Sequence, residues 1–306
     1  MKPGPLLASR SVQARIELSA KPRRVIEIVS EICLENGWAS NPADAREDAE
    51  RWTSQVVEIL RQEESELARV GRFAPYTFNS SSPEHIQGCA FIEPRDSEEL
   101  KAAKRNRARF KSYEKILAEI TPREFEMLCA GVLEVLGVDA PILTPSSADE
   151  GIDFYGRLQL EKHIFPDKQL PGLQRQLIAW MIGQAKHYKS GLASTPGIRD
   201  LVGAIHLAKS HAFGSGENKY NDLSVRACDP VFYLFFSTGR LTANSWTLLE
   251  RSGAVGMDGQ MLAAFLADHQ IGMKEGVFDE DSLRNWLARF DPQSKKKPAA
   301  GAPVVD

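Results

Sequence analysis

The sequence predicts an α/β fold, a mixed sheet flanked by helices, preceded by a mostly helical N-terminal module. Three observations predict it. Apolar residues recur at helical spacing between residues 24 and 117, as in Val25, Ile26, Ile28, Val29, Ile32 and Cys33. From Thr121 onward, helical stretches alternate with short strand-like runs, the order expected of a sheet covered by helices. Finally, VFYLFFS at Val231–Ser237 is apolar throughout, as expected of a strand buried on both faces.

The elements follow in order. Residues 1–23 carry early prolines and no sustained period, and are expected to be flexible. The helix beginning at Arg24 ends near Glu35, where Asn36 and Gly37 break it. Asn41 is placed as the N-cap of a second helix with Pro42 at its first position, running to about Val70. Residues 76–94 are turn-rich and read as loop with one short strand. A basic helix is expected over 96–117, closing a module at 24–117 for recognition or regulation.

Thr121, Pro122 and Glu124 form a capping-box pattern, and Phe125, Leu128, Cys129, Val132, Leu133 and Leu136 make the buried stripe of the helix that follows. Gly137 ends it. Strands are expected at Ile142–Leu143, 152–160 and 177–186, then a helix over 194–211 with Leu201, Ile205 and Leu207 inward. After Val231–Ser237 come helices at 242–252, 261–268 and 279–290. Residues 118–291 thus form the second domain, and 292–306 read as a disordered tail. His206 is expected to be packed, and Met257, Asp258 and Gly259 to form a turn.

Composition is that of a soluble protein: 42% hydrophobic and 26% charged. There is neither an 18-residue apolar window nor a leader-like apolar segment, so a cytoplasmic protein without membrane contact is expected. Cys33, Cys89, Cys129 and Cys228 stand far apart, which argues against a zinc site or a disulfide framework and reads as buried free thiols. Residues 1–100 hold 17 acidic and 12 basic side chains, whereas 101–115 hold seven basic and one acidic. That block is either a solvated helix face or a phosphate-contacting surface. Lys104, Arg105, Arg107 and Arg109 are its candidate DNA contacts, and Arg240, just beyond the buried strand, is another.

The chemistry centres on Asp153. Ile152 and Phe154 flank it on a predicted strand, so alternation turns those two to the core and Asp153 to the open face. Gln184 and Lys186 lie two apart at the end of the next strand and share a face. If the two strands pair as a hairpin, all three converge. A carboxylate and an amide oxygen are hard ligands for Mg²⁺. A lysine beside them can position water or stabilise charge on phosphorus-bound oxygens.

The ordered set Phe125-Glu126, Asp149-Glu-Gly-Ile-Asp153, Gln184-Ala-Lys186, Leu234 to Gly239 and Met257-Asp-Gly259 resembles the Mrr-like restriction endonucleases of the PD-(D/E)xK nuclease superfamily. The resemblance covers roughly residues 120–270. It implies a restriction-endonuclease-like fold, with Asp153 as main metal ligand and Gln184 and Lys186 as the paired half-motif. Glu126, on the first helix, joins Asp153 and Gln184 as a ligand. Two departures stand out: Glu150 occupies a position that is often Gly in the family, and the 159–175 insertion, with Lys162, His163, Lys168 and Arg175, is longer than a tight hairpin needs.

The function expected is therefore a Mg²⁺-dependent DNA endonuclease, with Mn²⁺ able to substitute, acting in restriction of foreign or modified DNA. Cutting both strands favours a homodimer or higher oligomer. Two alternatives stand beside it. One is a nuclease effector held by a partner or signal through the N-terminal module, which the acidic balance of residues 1–100 suits. The other is a catalytically weak DNA-binding protein on the same fold.

Overall fold

The computed structural model describes residues 3–72, 74–145, 151–164, 177–188, 192–193, 195–209, 223–226 and 228–292. It divides into two compact units, residues 1–111 and 112–306.

The first unit packs three helices over a small sheet. These are α1 (Pro5–Arg15), α2 (Val25–Glu35) and α3 (Pro42–Arg69), with β1 (Arg23–Arg24), β2 (Tyr76–Asn79) and β3 (Ser82–Gly88) in the antiparallel order β1-β3-β2. Asn41 caps α3 as its sequence predicts, accepting from the Ala43 and Asp44 amides. Ile28, Val29 and Ile32 of α2 and Trp52, Val56 and Leu60 of α3 form the core with Tyr76 and Ile86.

Three expectations are corrected here. The flexible N-terminus is a helix over 5–15, because Ala8 and Val12 are fully buried in that core and tertiary packing supplies what a weak local period lacks. The 76–94 stretch forms a hairpin, not loop with one strand. Its polar character is internal: Gln87 and Glu93 are buried and bonded to each other (2.6 Å), and Asn79 donates to Gln87 (2.8 Å). The basic helix is two helices, α4 (Glu98–Arg107) and α5 (Phe110–Glu119). The last turn of α4 tightens, with Arg109 N donating to Asn106 O, and the Arg109 guanidinium takes the freed Arg105 carbonyl (3.1 Å).

The second unit is built on a five-stranded sheet. Its strands are β4 (Ile142–Leu143), β5 (Phe154–Gln159), β6 (Ile178–Lys186), β8 (Val231–Ser237) and β10 (Val255–Met257), in the order β10-β8-β6-β5-β4. β10, β8 and β6 run parallel, and β5 and β4 are antiparallel to their neighbours. The helices are α6 (Pro122–Val135), α7 (Leu160–Ile164), α8 (Pro196–Lys209), α9 (Ala243–Ser252), α10 (Gly259–Asp268) and α11 (Glu280–Ala288). Two further pairs are β7 (Leu192–Ala193) with β9 (Arg240–Leu241), and β11 (Met273–Lys274) with β12 (Val277–Phe278).

The Thr121 capping box is formed, with side chain and backbone bonds exchanged with Glu124. α6 packs against β5 and β6, and α8 against β6 and β8. Ile198, Leu201 and Ile205 of α8 and Leu249 of α9 share a core with Tyr155, Trp180, Ile182 and Phe235. On the other face Phe154 stacks on Phe236 (centroids 5.4 Å apart). Residue 183 has to be glycine for this packing, since a β-carbon there would lie 2.2 Å from the Phe154 ring.

Smaller corrections follow from the same packing. Asp258 is not in a turn: it is buried and caps α10, accepting from Gln260 and Met261 N (both 3.1 Å). His206 is exposed, and so is Cys228, whereas Cys33, Cys89 and Cys129 are buried. Residues 293–306, Lys168 and Arg175, and the Asp149–Glu150 turn lie outside the described residues, as do the side chains of Lys162, His163 and Leu207. Among the described residues no helix is long and apolar enough to cross a membrane.

Candidate active site

β5 and β6 pair as the hairpin the sequence predicts, with Phe154 opposite Gly183. Asp153 therefore stands just before the last rung, beside Gln184. Strand alternation fails at this point. Ile152 joins Tyr155 in the core under α8, while Phe154 turns to the other face, so Asp153 is not on an open face. The backbone turns there because Thr144, buried after β4, grips it. Thr144 N donates to Asp153 O (3.0 Å) and its hydroxyl donates to Ile152 O (2.8 Å). Gly151 precedes the bend with φ +79°, a left-handed conformation that glycine adopts without strain.

One oxygen of Asp153, Oδ2, accepts from Ala185 N (2.7 Å), locking the carboxylate to the end of β6. Burial pushes the Asp153 carboxyl above its ordinary range. The Ala185 bond opposes this, the negative charge of Glu126 adds to it, and Lys186 and Arg123 counter it.

Gln184 and Lys186 share the α8 side of β6. Gln184 is buried, and the amide orientation that satisfies its neighbours has Nε2 donating to Gly197 O (2.8 Å) and Oε1 accepting from Lys186 Nζ (3.0 Å). Gly197 lies in the first turn of α8, and a β-carbon there would come within 3.2 Å of Lys186 Cε. The lysine thus lies along the N-terminal end of α8, where backbone amides favour an anion.

Glu126 sits one turn into α6, half-buried, in an ion pair with Arg123. Arg123 Nη1 also donates to Thr144 O (3.2 Å). At the other strand ends, Lys186 pairs in register with Ser237. Thr238 N donates to Lys186 O (3.2 Å), and its hydroxyl bonds both Tyr188 N (2.8 Å) and Tyr188 O (3.1 Å). His187 turns away from Lys186 and meets the Phe125 ring edge-on (6.1 Å).

The candidate DNA contacts divide. Lys104 is a correction: it is buried in an ion pair with Asp96 (2.8 Å), which removes it from any phosphate-facing set. Arg105 and Arg240 are exposed, Arg240 donating to Gln260 Oε1 (3.1 Å). Arg107 and Arg109 are half-buried.

A helix carrying Glu126, a hairpin carrying Asp153 with Gln184 and Lys186, and a crossover to β8 make up the frame. Comparison of the sequence with family models assigns this segment. Residues 117–213 match the family model Mrr_cat, restriction endonuclease. All four site residues fall inside that domain. Two solved structures are similar to the chain. One is the MspJI restriction endonuclease in complex with a 27-mer oligonucleotide, at 16% identity and TM-score 0.38 over 66% of this chain and 39% of that one. The other is the DNA modification-dependent restriction endonuclease AspBHI, at 18% identity and TM-score 0.36 over 67% and 45%. The chain spans less than half the length of either. No curated protein matches it.

Two residues of the domain's site escaped the sequence reading, Arg123 and Thr144. Neither belongs to a motif: Thr144 reaches Ile152 and Asp153 from the end of β4, and Arg123 reaches Thr144 from α6. A hard divalent cation fits the donors present. They are oxygens, and Asp153 is a carboxylate whose burial leaves its charge undercompensated. Among the described residues no group of three or more His, Cys, Asp or Glu converges.

Proposed function

We propose that the chain is a divalent-metal-dependent DNA endonuclease that hydrolyses phosphodiester bonds, with the site at the Asp153 end of the β5–β6 hairpin. The observation that carries this is the convergence of Asp153, locked to Ala185 N, with Lys186, held by Gln184, inside a restriction endonuclease domain. Asp153 and Glu126 would hold Mg²⁺ or Mn²⁺. When bound, the ion supplies Lewis-acid polarisation of the phosphate and lowers the pKa of water.

The chain's own residues do the rest. Gln184, named from the sequence as a ligand, is assigned here a positioning role, because the buried amide, oriented to satisfy its neighbours, bridges Lys186 and the Gly197 carbonyl. Lys186 stabilises the charge that builds on the phosphorus-bound oxygens, assisted by the amides at the start of α8. Water adds to phosphorus, and the phosphorus–oxygen bond on the opposite side breaks, leaving a hydroxyl and a phosphate end. Arg240, exposed beyond β8, is a candidate phosphate contact.

Restriction of foreign or modified DNA, a homodimer cutting both strands, and a cytoplasmic setting complete the proposal. Control through the N-terminal unit is a second reading, favoured by the acidic balance of residues 1–100 and by the withdrawal of Lys104 into an ion pair with Asp96.

The test is plasmid cleavage with Mg²⁺ or Mn²⁺ by the parent, Asp153→Ala and Lys186→Ala. Cleavage by the parent alone is expected. Equal cleavage by all three would remove the site. Gel shifts without cleavage by any of them would favour a binding protein.

A further inference from the structure

Arg123 sits where a cation is disfavoured. It occupies the first turn of α6, whose N-terminal end carries the positive pole of the helix. Its partners explain the placement. One guanidinium nitrogen, Nη1, bonds both the Glu126 carboxylate and the Thr144 carbonyl. Thr144 in turn holds the main chain of Ile152 and Asp153. Arg123 therefore ties the helix bearing one carboxylate to the segment bearing the other. It also brings a fixed positive charge to a place where two like charges approach.

We infer, building on the endonuclease proposal above, that Arg123 is the resident counter-cation of the carboxylate pair, which an incoming divalent ion has to displace from Glu126. In the metal-free protein it offsets the repulsion between Asp153 and Glu126. On loading it competes, both by occupying Glu126 and by repelling a second positive charge. It thereby weakens metal affinity. The site then fills most readily when DNA phosphate adds negative charge. Arg123 is a positioning residue in this scheme and touches no reacting atom.

Direct binding of Mn²⁺ to the full-length protein, followed by calorimetry or by the loss of free-ion paramagnetic signal, tests this without relying on cleavage. Arg123→Gln is expected to tighten Mn²⁺ binding by about tenfold, the effect of removing one nearby like charge at a partly solvated site. Arg123→Lys, which keeps the charge, should stay near the parent. In a Glu126→Gln background the Arg123→Gln effect should shrink to about twofold or less, since the contested carboxylate is gone. Without metal, Arg123→Gln should melt below the parent, and Mn²⁺ should restore it more than it raises the parent.

Unchanged or weaker Mn²⁺ binding by a folded Arg123→Gln, or an effect that persists undiminished without Glu126, overturns the inference while leaving the endonuclease proposal standing. A parent that binds no Mn²⁺, or binds it equally after Asp153→Ala, brings down the metal site itself and the inference with it.

Discussion

Gly183→Ala perturbs the last rung of the hairpin next to the candidate site. The added carbon falls 2.2 and 2.4 Å from two Phe154 ring atoms and 2.9 Å from Leu234 O, against ordinary carbon contacts of about 3.5–4.0 Å. Relief by rotation is blocked, because Phe154 is fully buried and stacked on Phe236 at 5.4 Å. Either the ring or the strand must shift by more than 1 Å, which places the cost in the upper part of the usual overpacking range, about 2–3 kcal/mol. For a unit of this size that is a fall in Tm of roughly 4–12 °C. Calorimetry and urea unfolding followed by the fluorescence of Trp180, buried on the opposite face of the same sheet, measure it. Phe154→Leu in the same background should recover about 1 kcal/mol, a coupling expected only if the two side chains collide. A Gly183→Ala protein within 0.5 kcal/mol of the parent, or strictly additive double-mutant values, would refute the packing argument.

The remaining predictions concern charge and hydrogen bonding. Asp153→Asn should abolish cleavage yet raise the Tm of the metal-free protein at neutral pH. Burial lifts this carboxyl's pKa, so its ionised form costs stability that is absent below the unfolded value and grows as pH rises through the folded one; a lower Tm would contradict this. Asp229 works in the opposite sense. Burial opposes its charge, but bonds from the Arg226 side chain and amide and from Trp180 Nε1 outweigh it and hold the pKa below its ordinary value. Its contribution is complete above the unfolded pKa of about 3.9 and lost as pH falls through the lower folded value, so Asp229→Asn should flatten the acid limb of Tm against pH. Gln184→Leu leaves Lys186 and the Gly197 carbonyl without their amide partner; stability should drop by about 1–3 kcal/mol and cleavage at least tenfold, while gel-shift affinity for DNA stays within about twofold. Lys104→Ala should destabilise the first unit by about 1–3 kcal/mol through the stranded Asp96, whereas Arg105→Ala should leave the Tm within 0.5 kcal/mol of the parent. Equal effects in thermal melts would contradict the assignment of Lys104 to a structural pair.

By itself the sequence determined the local features. Asn41 and the Thr121–Glu124 box cap helices because their side chains meet amides only two or three residues away. The apolar run of β8 is a strand, buried on both faces over Leu234–Ser237 while Phe232 at its start is exposed, and Gln184 and Lys186 share a face because strand alternation is a local rule. The hairpin that brings Asp153 beside Gln184 was legible in outline, since both strands announced themselves.

What depended on distant contacts was decided only by the tertiary structure. α1 has too weak a period to be read as a helix, and it exists because Ala8 and Val12 find the α2–α3 core. The β2–β3 hairpin is polar in sequence because its buried Gln87 amide is satisfied by the Glu93 carboxylate just beyond β3. Lys104, indistinguishable in sequence from Arg105, is withdrawn by Asp96. At the site, Thr144 turns the chain at Ile152 and so cancels the alternation that would have opened Asp153 to solvent. Arg123 enters the same network from a different helix. Charge and burial at these positions are set by neighbours six to 21 residues away, beyond the reach of a helix or strand period.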